Sequence, residues 1–359
     1  MYNVCMVDIA RHEMVTAPEL ASARAGDRDA FSALAEPYRR ELQVHCYRML
    51  GSLQDAEDLV QETLLRAWRR LDTYEGRASF RAWLYKIATN ACLDALDQRA
   101  RRTLPQARQS PSDPGAAPVP PTPEPIWLEP FPDDMLPGAY GNLEAYYDAR
   151  ESITLAFLAA LQALPPRQRA VLILCDVLDW RAREVAAMLD LTVSAVNSGL
   201  HRARTTLARH YHARDVHTMR TPPPDDTLHA LLERYVRAWE TADIEALVAL
   251  LKEDVTFPMP PSPGWYRGRA AVRAFVLASI LAGDARGRWR LLPTRANAQP
   301  AFAWYRRAET GQVYRAFAIQ VVTFEGDLIG DITTFAMPGL FPFFGMPQEL
   351  NSRYVKLPD

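Results

Sequence analysis

Residues 161–207 read LQALPPRQRAVLILCDVLDWRAREVAAMLDLTVSAVNSGLHRARTTL. The second half of that stretch predicts a helix from Arg183 to Leu189, a three-residue turn Asp190-Leu191-Thr192, and a second helix from Val193 to Arg209. On the second helix Val193, Val196, Leu200, Ala203 and Leu207 recur at spacings of three and four. They form one apolar stripe that can pack on Val185, Met188 and Leu189 of the first helix. The opposite face carries Ser194, Asn197, Ser198, His201, Arg202, Arg204 and Thr205. Short donors and acceptors stand near the N-terminal end, with guanidinium groups further along. A helix that reads DNA in the major groove needs that order, because its first turns reach base edges while arginines meet base edges or phosphates. No carboxylate lies between Thr192 and Arg209. A solvated surface usually mixes both charge signs, whereas a surface that meets phosphate does not. The plain alternative is an amphipathic helix with a solvated basic face. Gly199 cuts across the pattern, since a mid-helix glycine costs about 1 kcal/mol relative to alanine. A close approach to DNA or to another helix would explain it.

The chain has 359 residues, enough for two or three domains, and its net charge is -2. That balance excludes a globally basic nucleic-acid coat, so any DNA binding comes from local patches. The cysteines, Cys5, Cys46, Cys92 and Cys175, are scattered without a CxxC pair. Neither a structural zinc nor a disulfide framework is expected, and no cofactor or other metal. The start, MYNVCMVDIARHEM, is too short and too charged for a signal peptide and reads as a disordered leader. No apolar run approaches the length of a membrane span. A soluble, cytoplasmic protein with no membrane partner is expected.

Before the opening stretch comes a helical block. Phe31, Leu34, Tyr38, Leu42, Cys46 and Leu50 recur at helical spacing until Gly51-Ser52 breaks the pattern. In the next helix Ala56, Leu59, Val60, Thr63, Leu64, Ala67, Trp68 and Leu71 supply an apolar face, and Asp55, Glu57, Asp58 and Glu62 cluster in its first half, where the helix dipole favours negative charge. After the loop from Asp72 to Ala78, the string SFRAWLYKIATNACLDALDQRAR reads as a long helix with Ser79 as its N-cap. Its core face is built from Phe80, Trp83, Leu84, Ile87, Ala88, Ala91, Cys92, Ala95 and Leu96. Arg81, Tyr85, Lys86, Thr89 and Asn90 form a polar, partly aromatic face suited to stacking on unpaired bases. A helical bundle whose aromatic residues are simply core is the alternative.

GSLQDAEDLVQETLLRAW and SFRAWLYKIATNACLDALDQRAR resemble region 2 of an extracytoplasmic-function (ECF) sigma factor of the sigma-70 family. ALPPRQRAVLILCDVLDW, REVAAML and VSAVNSGLHRARTTL resemble its region 4. The two stand in the right order with a linker between. The resemblance implies a subunit, not itself an enzyme, that lends promoter recognition to core RNA polymerase, docking on the β′ clamp helices and the β flap. Asp55, Asp58, Gln61 and Glu62 would meet the β′ clamp helices. Tyr74, Arg77, Arg81, Tyr85, Lys86, Thr89 and Asn90 would capture and melt the −10 element of promoter DNA. Ser194, Asn197, Ser198, His201, Arg202 and Arg204 would read the −35 element. Many ECF factors carry a basic residue where this chain has Gly199, which puts that phosphate contact in doubt.

Leu104 to Gly141 is a proline-dense linker. Its first part should be extended. Ile126, Trp127, Leu128, Phe131, Met135 and Leu136 are too apolar for a solvated tether and are expected to pack on a neighbouring domain. The sigma resemblance offers another path, toward the polymerase cleft or RNA exit channel, with Asp133-Asp134 mimicking nucleic acid. A second hinge follows, with Thr221-Pro-Pro-Pro at its centre. Beyond it, helices and then strand-like segments indicate an α+β domain. The strings YVRAWETADIEALVALLKEDVTFPMPP and WYRGRAAVRAFV resemble a SnoaL-like domain of the nuclear-transport-factor-2-like superfold. That implies a cone with an apolar pocket, used for catalysis in some relatives and for binding in others. Tyr235, Trp239, Phe257, Met259, Trp265 and Trp304 are the candidate lining for an unknown small molecule, or plain core. His229, Asp254 and Asp331 are the titratable candidates, without a paired motif. The apolar string GLFPFFGMPQEL is expected to pack back on the domain or on the sigma regions.

The expected architecture is multidomain: an all-α half of two helical sigma domains, the second with a helix-turn-helix, followed by an α+β cone. The boundaries read as leader 1–17, region 2 at 18–104, linker 105–149, region 4 at 150–214, hinge 215–226 and SnoaL-like domain 227–359. The favoured function is an ECF sigma factor whose C-terminal domain regulates it in cis. The competitors are a one-component, ligand-sensing DNA-binding regulator and an enzyme with a DNA-binding appendage.

Overall fold

The computed structural model describes residues 17–98, 101–122, 127–139, 149–150, 152–212, 224–308 and 313–350. The leader, most of the hinge and Ile126 fall outside these residues. The chain divides into two compact units. One holds residues 1–102, Met135–Ser152 and Ala156–His210; the other holds Thr103–Asp134, Ile153–Leu155 and residues 211–359.

The first unit is helical. Helix α1 spans Ala17–Arg24 and α2 spans Arg28–Ala35. Asp27 caps α2 by accepting from the Asp29 and Ala30 amides. Pro37 interrupts the helical block in a 3₁₀ turn, Glu36–Tyr38, before α3, Arg39–Leu50. Gly51 ends α3 at φ 73°, a conformation open to glycine, and Ser52 caps α4, Leu53–Arg69. Ser79 caps α5, Phe80–Asp97, as its sequence predicts. Leu42, Leu53, Ala56, Leu84, Ala88 and Cys92 bury their side chains in this bundle.

The helix-turn-helix follows the sequence almost residue for residue. Helix α6 spans Leu155–Gln162 and α7 spans Pro166–Leu172. A single π turn, Ile173–Val177, carries the chain out of α7. Helix α8 is Ala182–Leu189, Asp190 makes the turn at φ 54°, and α9 is Val193–His212. Thr192 caps α9 by accepting from the Ala195 amide at 3.1 Å. Val196 and Ala203 are fully buried beneath α9, but Val193 is 45 % exposed and so leaves the expected apolar stripe at its first position. No close approach explains Gly199. A Cβ added there would meet its nearest neighbour, Val171 Cγ2, at 4.0 Å, an ordinary contact. Gly199→Ala is therefore expected to stabilise the unit by about 1 kcal/mol, read as a higher midpoint in urea unfolding.

The second unit is an α+β cone. Helices α10 (Asp225–Glu240) and α11 (Ile244–Val248) precede β1 (Leu251–Pro258), β2 (Trp265–Arg267) and α12 (Arg269–Ala278). Four long strands follow: β3 (Trp289–Ala296), β4 (Gln299–Arg307), β5 (Tyr314–Glu325) and β6 (Leu328–Phe335). The sheet order is β2-β1-β6-β5-β4-β3, antiparallel except where β1 runs parallel to β6. Tyr235, Trp239, Phe257, Phe302, Trp304, Val322 and Ile332 fill the space between helices and sheet. The apolar string near the end packs back on the domain: a 3₁₀ segment, Pro338–Phe344, sets Phe341 edge-on to Tyr305 at 5.2 Å. The two-residue β7, Glu349–Leu350, then pairs with β5.

The linker is no free spacer. The Ser112 amide donates to the Trp265 carbonyl at 2.7 Å, and the Trp265 indole donates to the Gln109 carbonyl at 2.8 Å. Ser262 Oγ donates to the Val119 carbonyl at 2.8 Å, and the Thr122 amide to the Pro261 carbonyl at 3.1 Å. Further on, Asn297 grips Phe131 from both sides: its Oδ1 accepts from the Phe131 amide and its own amide donates to the Phe131 carbonyl, both at 2.9 Å. Asp133 accepts from the Ala298 amide at 2.8 Å and pairs with Arg295 at 3.2 Å. Phe131, Leu128 and Trp127 are buried there, as their apolarity led one to expect.

Candidate nucleic-acid interface

Helix α9 presents its predicted face to solvent. Ser194, Asn197, Ser198, His201, Arg202 and Arg204 are all exposed. Arg204 is not simply solvated, however. The π turn after α7 brings Asp176 under it, and the two pair through Nε and a terminal nitrogen at 2.9 and 2.7 Å. The carboxylate raises the Arg204 pKa further and fixes the fork in place. Ser194, Asn197, Ser198, His201 and Arg202 stand exposed on that face, while Arg204 is held by Asp176.

The face expected on α5 is split in two. At about 100° per residue, positions 81, 85 and 89 fall together, and 86 and 90 fall well round from them. Arg81 pairs with Glu41 of α3 at 2.8 Å. Tyr85 and Thr89 are fully buried, and Thr89 Oγ1 lies 2.9 Å from His45 Nε2. Burial keeps the Tyr85 hydroxyl protonated far above its ordinary range. Tyr74 is likewise core: its ring packs on Phe80 and Trp83 at 5.5 and 5.3 Å, and its hydroxyl donates to the Ala78 carbonyl. Tyr74 and Thr89, expected to face bases, are thus core residues of region 2 itself, whereas the Tyr85 ring is covered on one side by Trp180 of region 4 at 5.1 Å. Arg77 is exposed on the loop beside Glu75 at 2.6 Å.

Lys86 and Asn90, by contrast, line a pocket of about 140 Å³ with Arg66, Arg70, Thr73, Trp83 and Ile87. Arg66 is held by Glu62 at 2.7 Å and by Asp94 at 3.5 Å. Three cations, an amide and an indole around one recess can pair with phosphates and stack on a base. Sequence reasoning missed Arg66, Arg70, Thr73 and Trp83. The first two stand at the very end of α4, where the apolar count draws attention to the other face.

His45 sits under this helix, tilted against Tyr85 at 5.0 Å. Burial, with repulsion from Arg48 and Arg81, pulls its pKa from 6.5 to about 3. Between those values the unfolded chain binds a proton that the folded chain refuses. Stability present above pH 6.5 is therefore lost as pH falls toward 3, by about 2 kcal/mol at pH 5 from this group. His45→Gln is expected to flatten the dependence of the unfolding free energy on pH between 5 and 7.

On α4 the acidic residues separate. Asp55 pairs with Arg102 at 2.7 Å, both largely buried. Asp58 and Gln61 are exposed, and Leu65, one turn on, is 42 % exposed, an apolar residue on a polar stripe. Such a mixture suits a protein partner more than solvent.

In the cone Tyr235, Trp239, Phe257 and Trp304 share the core, with Met259 packed against it. Trp265 does not join them, because its indole faces the linker. Tyr235 donates to Gln320 Oε1, and Gln320 donates to Thr334 Oγ1 at 2.7 Å. The Trp239 and Trp304 rings meet at 4.6 Å, and the buried Trp304 indole N–H lacks an acceptor among the described residues. His229 lies on the exposed side of α10 by Glu233 at 3.3 Å, Asp254 pairs with Lys252 at 3.4 Å, and Asp331 accepts from Thr256 and Thr333. Among the described residues no His/Cys/Asp/Glu cluster could hold a metal, and no helix is long and apolar enough to cross a membrane.

Family models match in three places: sigma-70 region 2 over residues 34–102, sigma-70 region 4 over 154–207, and a SnoaL-like domain over 232–332. The ECF RNA polymerase sigma factor SigG of Mycobacterium tuberculosis is 43% identical over 346 residues, which is 96% of this chain and 90% of SigG. The ECF RNA polymerase sigma factor SigJ of the same organism is 28% identical, covering 68% of this chain and 72% of SigJ. The crystal structure of SigJ matches 88% of this chain and 99% of its own at a TM-score of 0.57 and 24% identity, a likeness of fold. With regions 2 and 4 in order and a SnoaL-like domain after them, this chain belongs to the ECF RNA polymerase sigma factors.

Proposed function

We propose that this chain directs core RNA polymerase to its promoters and that its C-terminal domain regulates that activity in cis. Helix α9 reads the −35 element with Ser194, Asn197 and Arg202 in the major groove. The recess of Arg66, Arg70, Trp83, Lys86 and Asn90 holds an unpaired part of the −10 element. The exposed stripe of Asp58, Gln61 and Leu65 docks on the polymerase β′ subunit, and region 4 docks on the β flap. The observation that carries regulation in cis is the linker strapped to the cone by Asn297, Asp133, Trp265 and Ser262. A linker held there is not available to follow a path through polymerase.

The test is run-off transcription with purified core enzyme, comparing the full chain with Asn297→Gly, on a promoter fragment from upstream of its own gene. More product from the variant means the domain restrains the sigma regions; less means it supports them. Equal product at every concentration removes regulation through the linker, and no product from either removes the sigma reading. A second reading, a one-component regulator tuned by a small molecule, is favoured by the buried Trp304 indole N–H, which has no acceptor among the described residues of the cone. Specific promoter binding without polymerase would support it.

A further inference from the structure

Two residues of the helix-turn-helix lie against the part of region 2 that should meet the −10 strand. Asp190, in the turn between α8 and α9, places its carboxylate 3.0 Å from Lys86 Nζ, at the rim of the basic recess. Lys86 also reaches the Ala187 carbonyl at 3.4 Å. Trp180, between the π turn and α8, packs its ring on Tyr85 at 5.1 Å and covers the Arg81 guanidinium at 5.7 Å. Each partner has the chemistry of nucleic acid. A carboxylate on a lysine stands where a phosphate would, and an indole over an arginine and a tyrosine stands where a base would. The neighbouring contacts make the arrangement a joint between the two regions and no chance touch. Gln162 Nε2 donates to the Arg48 carbonyl at 3.2 Å, Arg48 Nε donates to the Ser152 carbonyl at 3.2 Å, and Arg169 reaches the Met49 carbonyl.

We infer that region 4 is an internal mimic of the −10 strand: in the closed unit Asp190 and Trp180 occupy single-strand ground on region 2, and capture of the strand displaces them. This rests on reading α4 and α5 as the −10 site, and it is separate from any restraint by the C-terminal domain. It also gives the two promoter contacts an order. A region 4 that has left region 2 for polymerase or the −35 element uncovers Lys86, Arg81 and Tyr85 together.

The test uses the full chain and a short fluorescein-labelled single strand of randomised sequence, followed by anisotropy at fixed salt. Asp190→Asn removes only the charge at an exposed position and keeps a residue suited to the left-handed turn. It is expected to bind the strand about threefold tighter than the parent chain, and Asp190→Asn with Trp180→Ala about tenfold tighter, in keeping with one freed cation and one stacking surface. The duplex of the same length should show no such gain. Equal affinity of all three chains for the strand, while the parent chain supports run-off transcription with core enzyme, overturns the mimicry and leaves the sigma reading standing. Failure of run-off as well brings down the reading on which the inference rests.

Discussion

Arg169→Ala is expected to cost the helical unit about 3–5 kcal/mol, a large share of the ~5–15 kcal/mol that holds an ordinary domain together. The Arg169 side chain is fully buried and donates to the Gln162 and Leu164 carbonyls at 3.1 Å, to Gln162 Oε1 and to the Met49 carbonyl. Met49 lies in the last turn of α3, where carbonyls have no partner within the helix. One guanidinium thus serves acceptors from regions 2 and 4 at once. Burial, with repulsion from Arg101, draws its pKa down to about 9. Truncation leaves buried oxygens without donors and opens a void, so the urea midpoint should fall steeply. Arg169→Lys keeps the charge but not the planar fork and should fall between. A midpoint unchanged in Arg169→Ala would mean the joint between the regions does not depend on this residue.

Asn297→Ala is expected to destabilise the second unit by about 3–5 kcal/mol and to free the linker. Asn297 and Ala298, at φ 54° and 61°, form the two-residue turn between β3 and β4. Asparagine tolerates that conformation and alanine does not welcome it. The same side chain accepts from the Phe131 amide at 2.9 Å and donates to the Ile153 carbonyl at 2.7 Å, with no exposure to solvent. Asn297→Gly keeps the turn and the backbone N–H bond to the Phe131 carbonyl and removes only the side-chain half of the clamp, so it should lose less, about 2–3 kcal/mol. Limited proteolysis separates the two effects: the linker should be cut faster in both variants, and the thermal midpoint should fall further in alanine. If the linker in Asn297→Gly resists protease as well as the parent chain, Phe131 is held by packing and the backbone bond, without need of the Asn297 side chain.

The helix-turn-helix was legible because three independent signals agree there: a 3.6-residue stripe, a turn of Asp190 to Thr192, and one charge sign on the open face. The helix cap at Ser79 was legible for the same local reason. The two faces of α5 were not, because polarity alone does not say which polar residue has a partner. Thr89 looks like a base reader until His45, 44 residues earlier, arrives to meet it. The recess was missed since its walls come from the end of one helix and the side of another. The linker's apolar residues announced that they would be buried, while the partner that grips Phe131 lies far downstream and carries no motif.

That distance has a consequence in time. Phe131 leaves the ribosome 166 residues before Asn297, the residue that clamps it. At about 5–20 residues per second the interval is on the order of ten to thirty seconds. Region 2 is complete before it begins and region 4 is completed within it, yet the hairpin that holds their linker has not been made. A nascent chain therefore passes through a period as a sigma factor without a strap, and a ribosome that slows over the codons for β1 to β3 lengthens it.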